Sequence, residues 1–185
     1  MQWTIADPHL CPRTSGHYAN ITRYENRPDD WDELFRRRWN ETVGDDDLVV
    51  VLGDFALASK EFTAEWVSSL KGRKHLLLGN HDGNRNRMLE AGFEKVYGSR
   101  KQSTYPDATT GRTQFWMPWE TEGGVRVALS HAPLAELPAG CVLNYHGHIH
   151  ANGYSPMMGG QRPWHRNVSV EVVDWTPVPL VSRWG

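Results

Sequence analysis

Several of the nine histidines in this 185-residue chain stand in short motifs with aspartate, asparagine and glycine. Mn, Fe, Zn and Co accept imidazole nitrogen together with carboxylate or amide oxygen, whereas Ca and Mg prefer shells of oxygen alone. Seven side chains are candidate ligands on this ground: Asp7, His9, Asp54, Asn80, His131, His148 and His150. Seven donors are too many for one tetrahedral ion, but two ions sharing a bridging carboxylate would use them all. Two ions ~3.5–4 Å apart can clamp a phosphoryl group during in-line displacement.

The candidate ligands follow short apolar segments that are typical of strands in a buried sheet. These segments cover residues 3–6, 48–52, 75–78, 125–129 and 141–145. In open α/β sheets, ligands bind outside the carboxyl ends of the strands. We therefore expect the five strand ends to converge on one rim.

Other segments predict the elements that surround this rim. Apolar residues at helical spacing predict helices over residues 30–42, 62–70 and 86–91, and a β-branched run predicts a strand over 168–173. Residues 99–124 are rich in Thr, Gly and Pro, so we expect a loop there with a strand near 115–116. Strands alternating with helices, followed by strand-rich sequence, predict an α/β fold of two packed sheets flanked by helices. No repeat or linker divides the chain, and we expect one domain over 1–185.

The motifs, taken in order, resemble those of the calcineurin-like metallophosphoesterases. They are Asp7-x-His9, Gly53-Asp54, Gly79-Asn80-His81-Asp82, His131 and Gly147-His148-x-His150. The resemblance implies a four-layer α/β/β/α sandwich of two mixed sheets flanked by helices. The tail, and the segment around Arg27 and Pro28, resemble the small single-domain branch of phages and bacteria, in particular mycobacteriophage-encoded phosphodiesterases. Pro8 departs from the small or aliphatic residue of the first motif but leaves both ligands in place.

The resemblance also implies roles for the motif residues. Asp54 would bridge two divalent ions, for which Mn is the first candidate and Fe, Zn, Co and Mg are the others. One ion would be held by Asp7, His9, Asp54 and His150, and the other by Asp54, Asn80, His131 and His148. His81 would face the substrate and donate a proton to the leaving oxygen, while Asp82 would orient His81.

The implied reaction is hydrolysis of a phosphoester by a hydroxide that bridges the ions. A chain this short has no separate cap domain, so an open rim suits small phosphodiesters, and the phage branch favours 2′,3′-cyclic nucleotides. The alternatives are a broad phosphomonoesterase, a nuclease, or a metal-binding scaffold without catalysis. Arg13, His17 and Arg85 lie just beyond the motifs and are candidate contacts for the phosphate.

Composition excludes several other classes of function. A net charge of −2 lacks the basic surplus that a stable long nucleic-acid partner would require. No apolar run approaches the ~18 residues of a membrane span, and the first residues lack the features of a signal peptide. We therefore expect a cytoplasmic protein, in the host cytoplasm if it is encoded by a phage, with a small phosphodiester or nucleotide as its partner.

Overall fold

The computed structural model describes residues 1–98, 105–153 and 161–181. Its helices are α1 (Gly16–Tyr24), α2 (Trp31–Thr42), α3 (Lys60–Ser69) and α4 (Arg85–Glu90), with a 3-10 helix over His150–Asn152. Its strands are β1 (Gln2–Ile5), β2 (Leu48–Val51), β3 (Arg73–Leu77), β4 (Lys95–Tyr97), β5 (Tyr105–Pro106), β6 (Thr113–Gln114), β7 (Trp116–Glu120), β8 (Arg126–Ser130), β9 (Asn144–His146), β10 (His165–Asn167) and β11 (Val178–Pro179). Among these described residues, no helix combines the length and apolarity needed to cross a bilayer.

The first sheet has the strand order β11-β1-β2-β3-β4. Its strands β1 to β4 are parallel, and β11 pairs antiparallel with β1. The continuous apolar run of β2 is buried on both faces, as expected for a central parallel strand. Val49 and Val51 pack in the core beneath the helices, and Val50 packs in the core between the two sheets.

The second sheet has the order β10-β9-β8-β7, with β7 antiparallel and the other pairs parallel. Val127, Leu129 and Tyr145 bury its inner face against the first sheet. The predicted α/β class of two mixed sheets with flanking helices is thus confirmed. In the described residues, loop segments that include Leu134 and Cys141 cover the outer face of the second sheet.

The three predicted helices are present as α2, α3 and α4, each beginning within two residues of its expected start. Helix α2 buries Trp31, Phe35 and Trp39, the residues whose spacing predicted it. Ser59 caps α3 by accepting a hydrogen bond from the backbone N–H of Phe62, which starts the helix before its first apolar residue.

Three parts of the chain differ from the prediction. Helix α1, with Ser15 as its N-cap, is not among the predicted helices. The predicted strand over 168–173 is wrong: β10 ends at Asn167, Ser169 forms one isolated parallel bridge with Ala6, and the chain then turns over residues 170–175. Val168 packs between the sheets and Val170 packs beneath the helices. The segment predicted to be a loop contains the hairpin β5–β6 and all of β7, although its residues 99–104 lie outside the described part.

Candidate metal centre

The strand ends of the two sheets meet at one rim, where their loops are joined by backbone hydrogen bonds. Asp7 N donates to Gly53 O at 3.1 Å, and His9 N donates to Asp54 O at 2.9 Å. The motifs thus leave their strands in register, since β1 and β2 are parallel neighbours. The loops at this rim carry all seven candidate ligands: Asp7, His9, Asp54, Asn80, His131, His148 and His150.

Glycines let these loops approach the carboxylates closely. A Cβ added at Gly147 would lie 2.2 Å from Asp7 Oδ2, and one at Gly79 would lie 2.2 Å from Asp54 Oδ1. No real Cβ tolerates such a distance to a buried carboxylate, so any larger residue would displace the ligand. Gly147 N also donates to His131 O at 2.7 Å, which ties the last two motifs together.

The backbone at the candidate ligands is unusual for residues that carry a side chain. Five of the seven have a positive φ: Asp7 (60°), His9 (51°), Asp54 (54°), His148 (71°) and His150 (46°). Left-handed non-glycine residues cost free energy and persist where the surrounding structure fixes them, which is characteristic of ligand-binding sites.

The first ligand group consists of Asp7, His9 and His150, whose donor atoms lie within 4.8 Å of one another. Asp7 Oδ2 accepts hydrogen bonds from Ser169 Oγ and from the backbone N–H of His148, both at 2.8 Å. Asp7 Oδ1 and His9 Nδ1 are buried and have no hydrogen-bond partner. A buried carboxylate oxygen without a partner, as Asp7 Oδ1 is, is costly unless an ion satisfies it, so the group fits a metal.

The second ligand group consists of Asp54, His131 and His148, again within 4.8 Å of one another. His131 Nδ1 lies 2.8 Å from Leu52 O, which only accepts, so Nδ1 carries the proton and Nε2 faces the group. Around Nε2 lie Asn80 Oδ1 at 2.9 Å, His148 Nδ1 at 3.2 Å and an Asp54 oxygen at 3.3 Å. This mixed oxygen and nitrogen donor set suits Mn, Fe, Zn or Co.

Asp54 connects the two groups. Its Oδ2 lies 3.6 Å from His9 Nε2 and 3.3 Å from His131 Nε2, one imidazole from each group. Its Oδ1 accepts a hydrogen bond from the backbone N–H of His81 at 2.8 Å, which fixes the orientation of the carboxylate. The position of Asp54 is the one expected of a bridging ligand.

The electrostatics of the centre follow from its burial. Burial raises the pKa of Asp7 and lowers the pKa of His9 to about 3. Burial alone would lower the pKa of His131 and raise that of Asp54, but their mutual attraction is stronger. The pKa of His131 therefore rises to about 10, and that of Asp54 falls well below its usual range. The two buried carboxylates thus demand positive charge at this place, which divalent ions supply in a metal centre.

A buried ion pair, which sequence reasoning missed, supports the first ligand group. Arg27 donates from Nη1 to Pro8 O at 2.7 Å and from Nη2 to Asp7 O at 2.9 Å, so it holds the backbone of the first motif. The Arg27 side chain also donates from Nε to Glu171 at 2.8 Å. Both carboxylate oxygens of Glu171 lie 3.2 Å from His150 Nδ1. Arg27 and Glu171 thus act as positioning residues for the motif backbone and for the His150 ring.

Two tryptophans enclose this ion pair. The Arg27 guanidinium lies 4.7 Å from the ring of Trp31 and 5.2 Å from that of Trp175. Planar guanidinium groups stack favourably on aromatic faces, and the side chain of Arg27 is fully buried here. The partners are 144 residues apart in sequence, and no local pattern joins them. The sequence therefore contains no signal that would have revealed the pair.

Asp82 has a different position from the one predicted. Its carboxylate accepts hydrogen bonds from the backbone N–H groups of Asp54, Phe55 and Gly79 at 2.7–2.8 Å. It therefore braces the loops of the second and third motifs instead of orienting His81. Burial and the charge of Asp54 raise the pKa of Asp82 to about 6.

The three residues predicted to contact the phosphate have different environments in the structure. Arg13 forms two hydrogen bonds with Asp32, at 2.6 and 2.8 Å, so that prediction is corrected because the guanidinium is already paired. His17 is exposed on α1 and is not among the residues that line the two cavities of the rim. Arg85 donates from Nε to Val96 O at 3.1 Å and lines the larger of these cavities.

Two cavities flank the centre. The larger, of about 680 Å³, is bordered by Asn80, His131 and His148 of the second ligand group. The smaller, of about 240 Å³, is bordered by His9 and His150 of the first group, and also by His81. The His81 ring lies 5.5 Å from the ring of His9, so His81 faces the smaller cavity. The arrangement offers two ligand groups with room on both sides for a substrate.

Comparison with known proteins agrees with the motifs. The sequence profile of the calcineurin-like phosphoesterases matches residues 3–179. The chain is 29% identical to the Gene 66 protein of Mycobacterium phage L5, over 98% of this chain and 89% of that protein. It is 28% identical to an uncharacterised protein of Methanocaldococcus jannaschii, over 96% of this chain and 86% of that protein.

The crystal structure of a protein of unknown function from Aquifex aeolicus has a similar fold, with a TM-score of 0.69 and 24% identity. That similarity covers 96% of this chain and 94% of the other. The fold, the two groups of candidate ligands and the profile match agree with the resemblance seen in the sequence. The chain belongs to the calcineurin-like phosphoesterase family.

Proposed function

We propose that this protein is a binuclear metal-dependent phosphodiesterase that hydrolyses small phosphodiesters, with 2′,3′-cyclic nucleotides as the first candidates. The observation that carries the proposal is the position of Asp54 Oδ2 between one imidazole of each ligand group. Family membership and the donor clusters support a metal-dependent phosphoesterase. The pair of ions and the diester preference are the parts proposed here.

The residues present fit two divalent ions. Asp7, His9 and His150 would hold one ion, Asn80, His131 and His148 would hold the other, and Asp54 would contact both. Such ions supply an activated water at neutral pH and neutralise charge on the phosphoryl oxygens. The buried Asp7 Oδ1, which has no hydrogen-bond partner, is the ligand atom that most clearly requires an ion.

The remaining chemistry falls to the protein's own side chains. His81 faces the smaller cavity, where it would donate a proton to the oxygen of the leaving group. The backbone N–H of His81 is bonded to Asp54, so the general acid is fixed relative to the proposed bridging ligand. Asp82 holds the same loop through three backbone N–H groups.

The two cavities favour a diester over a monoester. An acyclic phosphodiester carries two substituents, and the rim offers space on the side of each ligand group, whereas the choice of 2′,3′-cyclic nucleotides rests on the resemblance to the phage branch. A monoester would use only one of these spaces. Many of the lining residues are exposed, which suits small substrates that bind without closure of a separate domain.

The test is a substrate panel on protein freed of metal and reconstituted with Mn, Fe, Zn, Co or Mg. We expect two ions per chain and higher kcat/KM for bis-p-nitrophenyl phosphate and 2′,3′-cyclic AMP than for p-nitrophenyl phosphate. Faster turnover of the monoester would replace the proposal with a phosphomonoesterase. Two bound ions without hydrolysis of any ester would indicate a binding scaffold, and activity confined to polymeric DNA or RNA would indicate a nuclease.

A further inference from the structure

The larger cavity, which borders the metal centre, is also lined by two arginines, Arg85 and Arg112, that we call its basic wall. Arg85, at the start of α4, and Arg112, at the end of the β5–β6 turn, both line it. Within the described part of the chain, neither guanidinium forms an ion pair with a carboxylate. Arg13 and Arg27, by contrast, are each paired with a carboxylate. Two unpaired guanidinium groups on one cavity create a site for an anion.

The carboxylate that lines the same cavity is already committed to its own turn. Asp107 accepts hydrogen bonds from the backbone N–H and hydroxyl groups of Thr109 and Thr110, at 2.5–2.8 Å. These bonds lower the pKa of Asp107 although its burial opposes the change, so it stays ionised inside the turn. Its oxygens are therefore engaged by donors of its own turn and not by Arg85 or Arg112, so both guanidinium groups remain available to a ligand.

The wall is fixed relative to the metal centre. Ala108 N donates to Pro133 O at 2.7 Å, and Ala135 N donates to Pro106 O at 3.0 Å, which joins the hairpin to the loop after His131. The Gln114 side chain adds to this joint, because it accepts from Ala132 N at 2.9 Å and donates to Ala132 O at 2.8 Å. The hairpin and the His131 loop thus form one unit. A ligand that contacts both would therefore bind without the entropic cost of ordering one relative to the other.

We propose that the larger cavity binds a second phosphate group, so that the preferred substrates are small phosphodiesters whose retained substituent carries an additional phosphate. This inference rests on the proposed function. His81 faces the smaller cavity, so the leaving group belongs there and the substituent that stays on the phosphorus extends into the larger one. A volume of about 680 Å³ accommodates a nucleoside between the metal centre and the two arginines.

The experiment compares two substrates with the same leaving group. Thymidine 5′-(p-nitrophenyl phosphate) and its 3′-phosphorylated form release the same p-nitrophenolate and differ only in the second phosphate. With the metal-reconstituted protein, we expect kcat/KM to be about tenfold higher for the 3′-phosphorylated form, chiefly through a lower KM. Calorimetric titration should likewise show tighter binding of thymidine 3′,5′-bisphosphate than of thymidine 5′-phosphate.

Substitution of the two arginines tests whether they cause the preference for the second phosphate. The double variant Arg85→Gln with Arg112→Gln should bring the ratio between the two substrates close to one. The control Arg73→Gln removes an exposed arginine paired with Glu94 at the opposite end of β3 and should leave the ratio unchanged. Equal turnover of both substrates by the unmodified protein, or a ratio unaffected by the double variant, would overturn the inference while leaving the phosphodiesterase intact. Absence of all ester hydrolysis would instead refute the proposed function itself.

Discussion

The two ligand groups of the centre are built from similar side chains but are supported in different ways. In the first group, His150 is oriented by the carboxylate of Glu171, which is itself paired with the buried Arg27. In the second, His131 is oriented by a neutral backbone oxygen, Leu52 O. The first group is supported by charged side chains from distant parts of the chain. The second is supported by a backbone carbonyl directly after β2.

The difference shows that the ligands of the two groups are not equally sensitive to substitution of the residues that support them. A backbone acceptor persists whatever residue occupies its position, whereas a charged pair can be lost by one substitution. Burial alone would lower the pKa of His150, but its contact with Glu171 raises it. The first group therefore depends on side-chain charge, while the second depends on the fold. Single substitutions can test this contrast.

The largest effect is expected for the residue common to both groups. Asp54→Asn removes the shared charge, and we expect loss of both ions and a fall in kcat on the order of 10³-fold. His150→Ala should remove one ion only, because it belongs to the first group. Metal content by mass spectrometry and kcat on bis-p-nitrophenyl phosphate measure both outcomes. Asp45→Asn, an exposed carboxylate, serves as the control. Retention of two tightly bound ions in Asp54→Asn would rule out the bridge.

The next effect concerns the smaller cavity on the side of the first group. His81→Ala should keep both ions but slow hydrolysis of 2′,3′-cyclic AMP by about 10²–10⁴-fold, because its alkoxide leaving group needs a proton. Bis-p-nitrophenyl phosphate, whose leaving group is stable as an anion, should be affected much less. Steady-state rates on the two substrates give the comparison, and an equal loss on both would assign His81 a role other than proton donor.

A smaller effect separates the two supports directly. Glu171→Gln should weaken one of the two metal sites by about 10–100-fold and leave the other unchanged, because His150 and Arg27, which lose their charged partner, both support the first group. Glu25→Gln is the matched control, since its carboxylate lies 3.7 Å from the same His150 Nδ1 but is not bonded to Arg27. Competition with a chromogenic chelator measures both affinities. Equal weakening by the two variants would contradict a specific role for Glu171.

The smallest effect is a dependence of stability on pH in protein treated with a chelator. The pKa of His131 is raised to about 10 in the folded chain, compared with 6.5 for an ordinary histidine. The folded state then holds a proton that the unfolded state loses, so this contribution is complete below pH 6.5 and disappears as the pH rises through 10. Thermal melts between pH 6.5 and 10 should show a decline in Tm that is weaker in His131→Gln. Identical pH profiles would contradict the raised pKa.

Much of the site could be predicted from the sequence because each motif directly follows a short apolar run. The run over β2 was recognisable by its β-branched residues, and Gly53-Asp54 marked its end. Neighbouring parallel strands end at the same edge of a sheet. The position of each motif at a strand end was therefore enough to predict that the motifs lie close together. The α/β class followed from the same alternation.

The rest depended on contacts between distant residues. Nothing near Arg27 indicates that it would meet Glu171, because that contact exists only after the tail crosses the first motif. Val168 and Val170 have the alternation of a strand, but they fill two different cores. Helix α1 escaped prediction because its second residue, His17, is polar and only Tyr18 among its residues is buried.

The left-handed backbone at the ligands has a consequence for how the protein acquires its ions. The strained turns at Asp7 and His9 are fixed by hydrogen bonds to Gly53 O and Asp54 O, partners supplied by the chain itself. These bonds come from the protein's own backbone, so they do not depend on which ion is bound. A mixed set of nitrogen and oxygen ligands held in this way suits several transition metals, so we expect metal availability to help decide which ion is bound.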